Sequence, residues 1–248
     1  MNVLRKPWYA SLVILALWHF VLIGGAYLQF KGHHVSLDQM VKNHIILGVL
    51  VATIFLPGTI TYLKWWPQVG WKGPDNLPGL RLLLPQAMLL LFMLVFVLFT
   101  GLPPTRVLII VIINTLMVGI SEELMFRGIL FHGASSSFGI WRAVWITAIL
   151  FGAVHILNGL ITGDFSASTV QAFFAFMFGF WIVSLRVRLD TIIPGIVIHW
   201  IWDYVGFLTN SQGDLILLFF DFVFFFYGLW LLRNYLPSNY QIRYKLKK

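Results

Sequence analysis

The chain has 248 residues, 59% of them hydrophobic and 10% charged, with a mean hydropathy of +0.86 and a net charge of +8. Soluble domains carry about 25% charged residues, so this composition excludes a water-soluble enzyme or a free nucleic-acid-binding domain and describes an integral membrane protein. The lack of cysteine excludes disulfides and thiolate metal sites.

In chain order, Arg5 and Lys6 precede an apolar stretch at 8–28. It is too long for a signal-peptide core and lacks an Ala-x-Ala-like cleavage site, so it reads as a retained first span. With about 17 to 25 apolar residues needed per crossing, further spans are predicted at roughly 44–63, 80–100, 107–131, 141–157, 168–185, 191–208 and 215–232. The connectors hold the expected breakers: a polar stretch at 31–42, three prolines within 65–79, Pro103 with Pro104, and a serine-rich stretch at 133–138. The expectation is an all-α, polytopic membrane protein of about eight transmembrane helices. Its single transmembrane domain fills 1–248, with no soluble domain and no internal repeat.

The basic residues orient these spans. With a cytoplasmic N-terminus and alternating crossings, Arg5, Lys6, Lys64, Lys72, Arg81, Arg142, Arg186, Arg188, Arg233, Arg243, Lys245, Lys247 and Lys248 share the cytoplasmic side. Lys31, Lys42 and Arg106 take the other. This is a positive-inside pattern with both termini cytoplasmic. The charge lies in short juxtamembrane loops, where anionic lipid headgroups rather than nucleic acid are the partner. The economy of the chain points to a bacterial plasma membrane.

The fourth span holds the only two glutamates in the sequence, Glu122 and Glu123, together with Arg127. The fifth holds His155, the seventh His199 and Asp203, the eighth Asp221, and the first His19. A carboxylate at membrane depth costs on the order of 2.5 to 3.5 kcal/mol on insertion scales, so such residues mark function or tight pairing. Glu123 and Arg127 are four apart with the acid first, the favoured order for an ion pair on one helix face. Glu122 is rotated by about 100° from its neighbour, so the arginine does not serve both. Phe151 with His155, and His199 with Asp203, repeat the four-residue spacing.

Polar groups in a membrane bundle face inward, which brings Glu122, His155, His199 and Asp203 together from spans four, five and seven. A buried carboxylate beside an imidazole can take a proton from water. A second imidazole and another hydrogen-bonding group can stabilise the oxyanion that forms at an attacked carbonyl. The inventory fits amide hydrolysis. HExxH of the zinc proteases, Gly-x-Ser-Gly of the rhomboid type and Gly-x-Gly-Asp of the presenilin type are missing from the sequence.

Glu122-Glu123-Leu124-Met125-Phe126-Arg127, then Phe151-Gly152-Ala153-Val154-His155, then His199-Trp200-Ile201-Trp202-Asp203, resemble the EExxxR, FxxxH and HxxxN/D motifs of one family. That family is the CAAX protease and bacteriocin-processing family, also called the abortive-infection family. The likeness covers 107–208, with the motifs in the family's order and on the corresponding spans. It implies an intramembrane glutamate-dependent endopeptidase, a type first known for removing the last three residues of prenylated CAAX proteins. By that resemblance Glu122, assisted by His155, activates water; His199 and Asp203 form the oxyanion site; Glu123, Arg127 and Phe151 support them. Asp203 stands where eukaryotic relatives have asparagine. As an oxyanion donor it must be protonated, or else it orients His199.

No cofactor is implied by the resemblance, although two histidines with Glu122 and Asp203 also make a conceivable zinc donor set. A non-catalytic immunity or scaffolding factor and a proton-coupled transporter fit intramembrane acids and histidines too; transporters usually show repeats with broken helices. The expected partners are a peptide or protein substrate and the lipid bilayer. In a bacterium, peptide pheromones, bacteriocin precursors or membrane-protein tails are the candidate substrates, and the site is expected to open toward the cytoplasm.

Overall fold

The computed structural model describes residues 6–74, 77–209 and 211–233, most of which are helical, with no strand among them. Arg5 and the basic residues from 243 onward, on which part of the charge argument rests, lie outside the described residues. Helix α1 spans Pro7–Gln29 and starts with proline in its first turn, where the missing N–H is no loss. The polar 31–42 connector contains a helix of its own, α2 at Leu37–Asn43, because the Ser36 hydroxyl accepts from the Gln39 N–H at 3.3 Å and caps it.

Helix α3, Leu47–Leu63, then departs at 79° to α2. The break leaves backbone groups that must find partners. Asn114, buried in the fourth span, supplies them: its amide donates to the carbonyls of Val41 at 2.9 Å and His44 at 2.7 Å and its oxygen accepts from Ile46 N–H at 3.1 Å. Gln29 does the same for the Ile45 carbonyl and the Leu47 N–H, each at 2.9 Å. Helices α1 and α3 cross at Gly25 and Gly48, where a Cβ on either would meet the other backbone.

The proline-bearing connector holds a single turn, α4 at Trp66–Val69, and a 3₁₀ segment at Leu77–Leu83 that leads into α5, Leu84–Thr100. The fourth span is the longest, with α6 at Thr105–Glu123, a π-helical segment at Leu124–Leu130 and α7 at Phe131–Phe138 running on as 34 residues. Its helix therefore continues through the serine-rich stretch predicted as a connector. Ser135 and Ser136 stay helical by donating to carbonyls three residues back, those of His132 at 3.2 Å and Gly133 at 2.9 Å. Then come α8 at Ile140–His155, the short α9 at Gly159–Thr162, α10 at Phe165–Leu189, α11 at Ile193–Leu208 and α12 at Ser211–Leu232.

Each predicted span is thus helical. Six helices are long and apolar enough to cross a membrane, and seven if the bent α2–α3 pair counts as one span; α11, with 16 residues, is shorter than that limit. The connectors alternate between two ends of the bundle. At one end the start of α1 lies against Gly133 of α7, and Lys72 meets Asp190 between α10 and α11 at 2.7 Å. At the other, Val35 N–H donates to Ile161 O at 3.3 Å, and residues 101–103 lie beside Asp38, Lys42 and Phe207.

The first end is clamped by charge. Arg186 pairs with Asp190 at 2.9 Å, Lys72 with the other oxygen of that carboxyl, and Ile192 N–H donates to Gly70 O at 3.1 Å. Burial works against the charged carboxyl, and Arg186 and Lys72 outweigh it, holding Asp190 below the usual carboxylate range. Helix α10 is central: two thirds of its most apolar window is buried, against half or less in the other long spans. It packs between α8 and α12, with Trp181 stacked on Phe224 at 4.3 Å.

Candidate active site

The fourth span changes winding at the acids. Glu123 is the last residue of α6, and the next seven residues take the wider π turn. π segments are costly and are frequently found at functional sites, because they re-aim side chains. Here the turn carries Arg127 into the interior, where it is almost fully buried, at 3.0 Å from Glu123 Oε1. The guanidinium lies 4.1 Å above the Phe151 ring, a stacked position that Arg fills better than Lys.

Two glycines make this packing possible. A Cβ at Gly195 of α11 would sit 3.0 Å from Glu123 Oε2, and one at Gly179 of α10 would sit 2.8 Å from the Phe151 ring. Both helices approach the acid–arginine pair more closely than any side chain would allow.

His199 joins the elements. Its Nδ1 lies 2.9 Å from Glu123 Oε1, the oxygen that also faces Arg127, and a carboxylate acceptor there requires the hydrogen on Nδ1. Its Nε2 points the other way, 3.7 Å from Glu122 Oε2 and 3.5 Å from Asp203 Oδ2. The ring is buried between Phe178, at 4.9 Å, and Phe151, at 6.0 Å. Each glutamate has an Oε2 without a hydrogen-bond partner, but the Glu122 side chain is 16% exposed, whereas that of Glu123 is fully buried and pairs through Oε1.

His155 is set by a different contact. Its Nδ1 donates to Phe151 O at 2.6 Å, which leaves Nε2 as a free acceptor. Its ring stands edge-on to Phe151 at 4.9 Å. Among the described residues it makes no ion pair with Glu122 within 4.0 Å, whereas His199 lies 3.7 Å from that carboxyl. Phe151 is the hub, with Arg127 on its face and Phe126, His155 and Phe178 around it.

The spacing reading expects Glu122, His155, His199 and Asp203 around one interior; the structure gathers Glu122, Glu123, Arg127, Phe151, His199 and Asp203 in one cluster, with His155 against Phe151 at its edge. That reading gives Glu123 too small a part, since Glu123 holds His199 as well as Arg127. It also misses the π turn, Gly179, Gly195 and the Trp18 Nε1 bond to Ser121 at 3.1 Å that ties α1 beside the acids. The signal for the glycines was present: Gly195 precedes His199 by one helical turn. His19 of the first span stands edge-on to Trp18, with 5.1 Å between ring centres. Among the described residues no group of three or more His, Cys, Asp or Glu side chains is arranged to hold a metal ion. An open depression of about 620 Å³ lies at the far end of the bundle, lined by Asp38, Lys42 and Phe207, and contains none of these residues.

Comparison with known proteins adds one finding. Residues 104–205, which carry all three motifs, match the family described as type II CAAX prenyl endopeptidase Rce1-like. No curated protein and no solved structure matches the chain.

Proposed function

We propose, on the premise that residues 104–205 make this chain a member of the Rce1-like family of type II CAAX prenyl endopeptidases, that it hydrolyses a peptide bond near the end of a membrane-associated protein or peptide with Glu122 as the general base. The supporting observation is the contrast between the adjacent acids: Glu123 is fully buried and held by Arg127 at 3.0 Å and His199 at 2.9 Å, whereas Glu122 is 16% exposed and lies 3.7 Å from His199 Nε2. The carboxylate not already paired with an arginine is the better proton acceptor of the two.

In the proposed step a water between Glu122 and His155 loses a proton to Glu122 as its oxygen bonds to the scissile carbonyl carbon. The free Nε2 of His155 accepts the water's second hydrogen as a hydrogen bond and so aims its lone pair. The carbonyl oxygen becomes an oxyanion facing His199 Nε2–H, with Asp203 beside it. Collapse breaks the C–N bond, and Glu122 returns its proton to the leaving amine. One water is consumed, and one acid and one amine are formed. Arg127 and Glu123 stay in place throughout and keep His199 oriented.

The reaction uses the protein's own side chains, with the chain embedded as a multi-pass protein of a bacterial plasma membrane and its termini cytoplasmic. Candidate substrates are peptide precursors and membrane-protein tails, and prenylated CAAX ends if the host makes them. Comparative peptidomics of cells expressing wild type and Glu122→Gln tests the reading. A peptide processed by wild type only is the expected result; equal processing, or an undiminished cellular effect of the Gln variant, overturns it in favour of a scaffold. Activity of the purified protein is expected to survive a strong chelator, and stoichiometric zinc with complete loss on chelation would replace the mechanism by a metal-dependent one.

A further inference from the structure

The three motifs share an order of exposure. In each, one side chain is nearly sealed and another, about one turn away on the same helix, is more open. Arg127 is 1% exposed and Glu122 16%, His199 is 5% exposed and Asp203 25%, and Phe151 is buried where His155 is only partly so. The chain passes these residues in alternate directions. Running from the 101–104 connector, α6 reaches Glu122 before Arg127, whereas α8 and α11 run from the clamped end and reach Phe151 before His155 and His199 before Asp203. On all three helices the more exposed group therefore lies on the side away from the Lys72–Asp190 clamp.

The clamped side is closed by packing. Every residue of the π segment is buried, a Cβ at Gly128 would sit 3.1 Å from the Val69 side chain, and Trp65 stands edge-on to His132 at 4.9 Å. Helix α4 thus covers the fourth span less than two turns from Glu122. The other side is built differently. Helix α8 ends at His155, and the chain tightens into a 3₁₀ segment at Ile156–Asn158. Side chains three apart eclipse in such a segment, so Asn158 stands over His155. Its amide donates to Gln171 Oε1 of α10 at 2.9 Å in a half-buried bond. Gln171 is two turns before Phe178, whose ring meets that of His199 at 4.9 Å. The amide pair therefore bridges to α10 above the site. Their bond uses one donor and one acceptor; Asn158 Oδ1 and Gln171 Nε2 make no other hydrogen bond among the described residues.

We propose that the substrate peptide reaches the site from the end of the bundle that holds residues 31–36, 101–104 and 156–164, passing the Asn158–Gln171 amide pair in extended form. This rests on the peptidase reading and names the face from which that site is served. An extended chain at membrane depth needs partners for its N–H and C=O groups. A carboxamide offers the same donor and acceptor as a main-chain amide, whatever the peptide's side chains. Asn158 lies three residues beyond His155, about 6 Å along a 3₁₀ axis, which is about two residues of extended chain. The pair thus holds the peptide main chain two residues from the scissile bond. With both termini cytoplasmic this end is extracytoplasmic, and the substrate is an exported peptide or the exported tail of a membrane protein. The cytoplasmic opening expected from the sequence took the fourth span to end near residue 131; the helix runs on to Phe138, and on that side the acids lie behind α4.

The test needs no cleavage. Glu122→Cys puts a single thiol into the site of a cysteine-free chain, and the charged, membrane-impermeant thiosulfonate MTSET is applied to right-side-out and to inside-out vesicles. His33→Cys and Ser137→Cys mark the two faces. Glu122→Cys is expected to react at least about tenfold faster from the face that labels His33→Cys, since a charged reagent does not cross the packed side. Adding Asn158→Trp, which fills the passage, should slow that reaction about tenfold or more, because a close-packed wall leaves no room for the reagent. Helical circular dichroism reports whether this variant folds, and Gln171→Trp repeats the test from the facing helix if it does not. Faster reaction from the Ser137 side, equal rates from both sides or reaction from neither overturns the proposal, as does full-rate labelling in a folded tryptophan variant. If wild type cleaves no peptide, the peptidase reading fails, and the labelling rates still decide from which end the site is reached.

Discussion

Two adjacent glutamates with opposite environments are the centre of this molecule. Glu123 is fully buried and serves Arg127 and His199 through one oxygen, whereas Glu122 is 16% exposed and lies 3.7 Å from His199 without an arginine partner. The same substitution at the two positions should therefore separate stability from chemistry. Glu122→Gln removes a proton acceptor and is expected to lower kcat by at least about 100-fold with an unchanged thermal unfolding midpoint. Glu123→Gln strands a buried guanidinium, and breaking a buried pair from one side costs about 3–5 kcal/mol. It should lower the unfolding midpoint in detergent and also remove activity, because His199 loses its anchor. Equal stability of the two variants would show that the Glu123–Arg127 pair does not hold the site. The four-residue spacing made the pair with Arg127 legible in the sequence; the contact with His199 was not, since it joins residues of different helices.

At the scale of the element, the π segment and the glycines decide how near the helices come. Adding a methyl group to an exposed helical glycine is stabilising by up to about 1 kcal/mol, so Gly24→Ala, where a Cβ meets nothing within 4 Å, should be neutral or mildly stabilising. Gly179→Ala puts the same methyl 2.8 Å from the Phe151 ring and 3.4 Å from an Arg127 nitrogen. It should displace the ring from under the guanidinium and lower activity by about tenfold or more, as small misplacements at a catalytic site do, while helical circular dichroism stays constant. Full activity in Gly179→Ala would mean that the Arg127–Phe151 stack is not needed. The break between α2 and α3 makes the same point: Asn114 reads in sequence as one polar residue in an apolar span, and its role appears only where it meets the carbonyls of Val41 and His44.

At the scale of the whole molecule, Lys72 and Arg186 clamp Asp190 at one end of the bundle, and Lys42 stands beside Asp38 at the other. The cysteine-free sequence makes orientation directly measurable. With an impermeant maleimide, His33→Cys should label in intact cells and Ser137→Cys only after lysis; the reverse pattern would invert the topology. The sequence by itself determined the membrane class, the placement of the helices and the motif residues. Hydrophobic run length, charge asymmetry and four-residue spacing are local properties, and a membrane leaves the backbone few alternatives to the helix. Tertiary structure decided the rest: that Glu123 rather than Glu122 grips His199, and that His155 is held by its own helix through the Phe151 carbonyl. These depend on the rotation and closeness of helices far apart in the chain, which are set by glycine contacts and by a π turn that no short-range pattern announces.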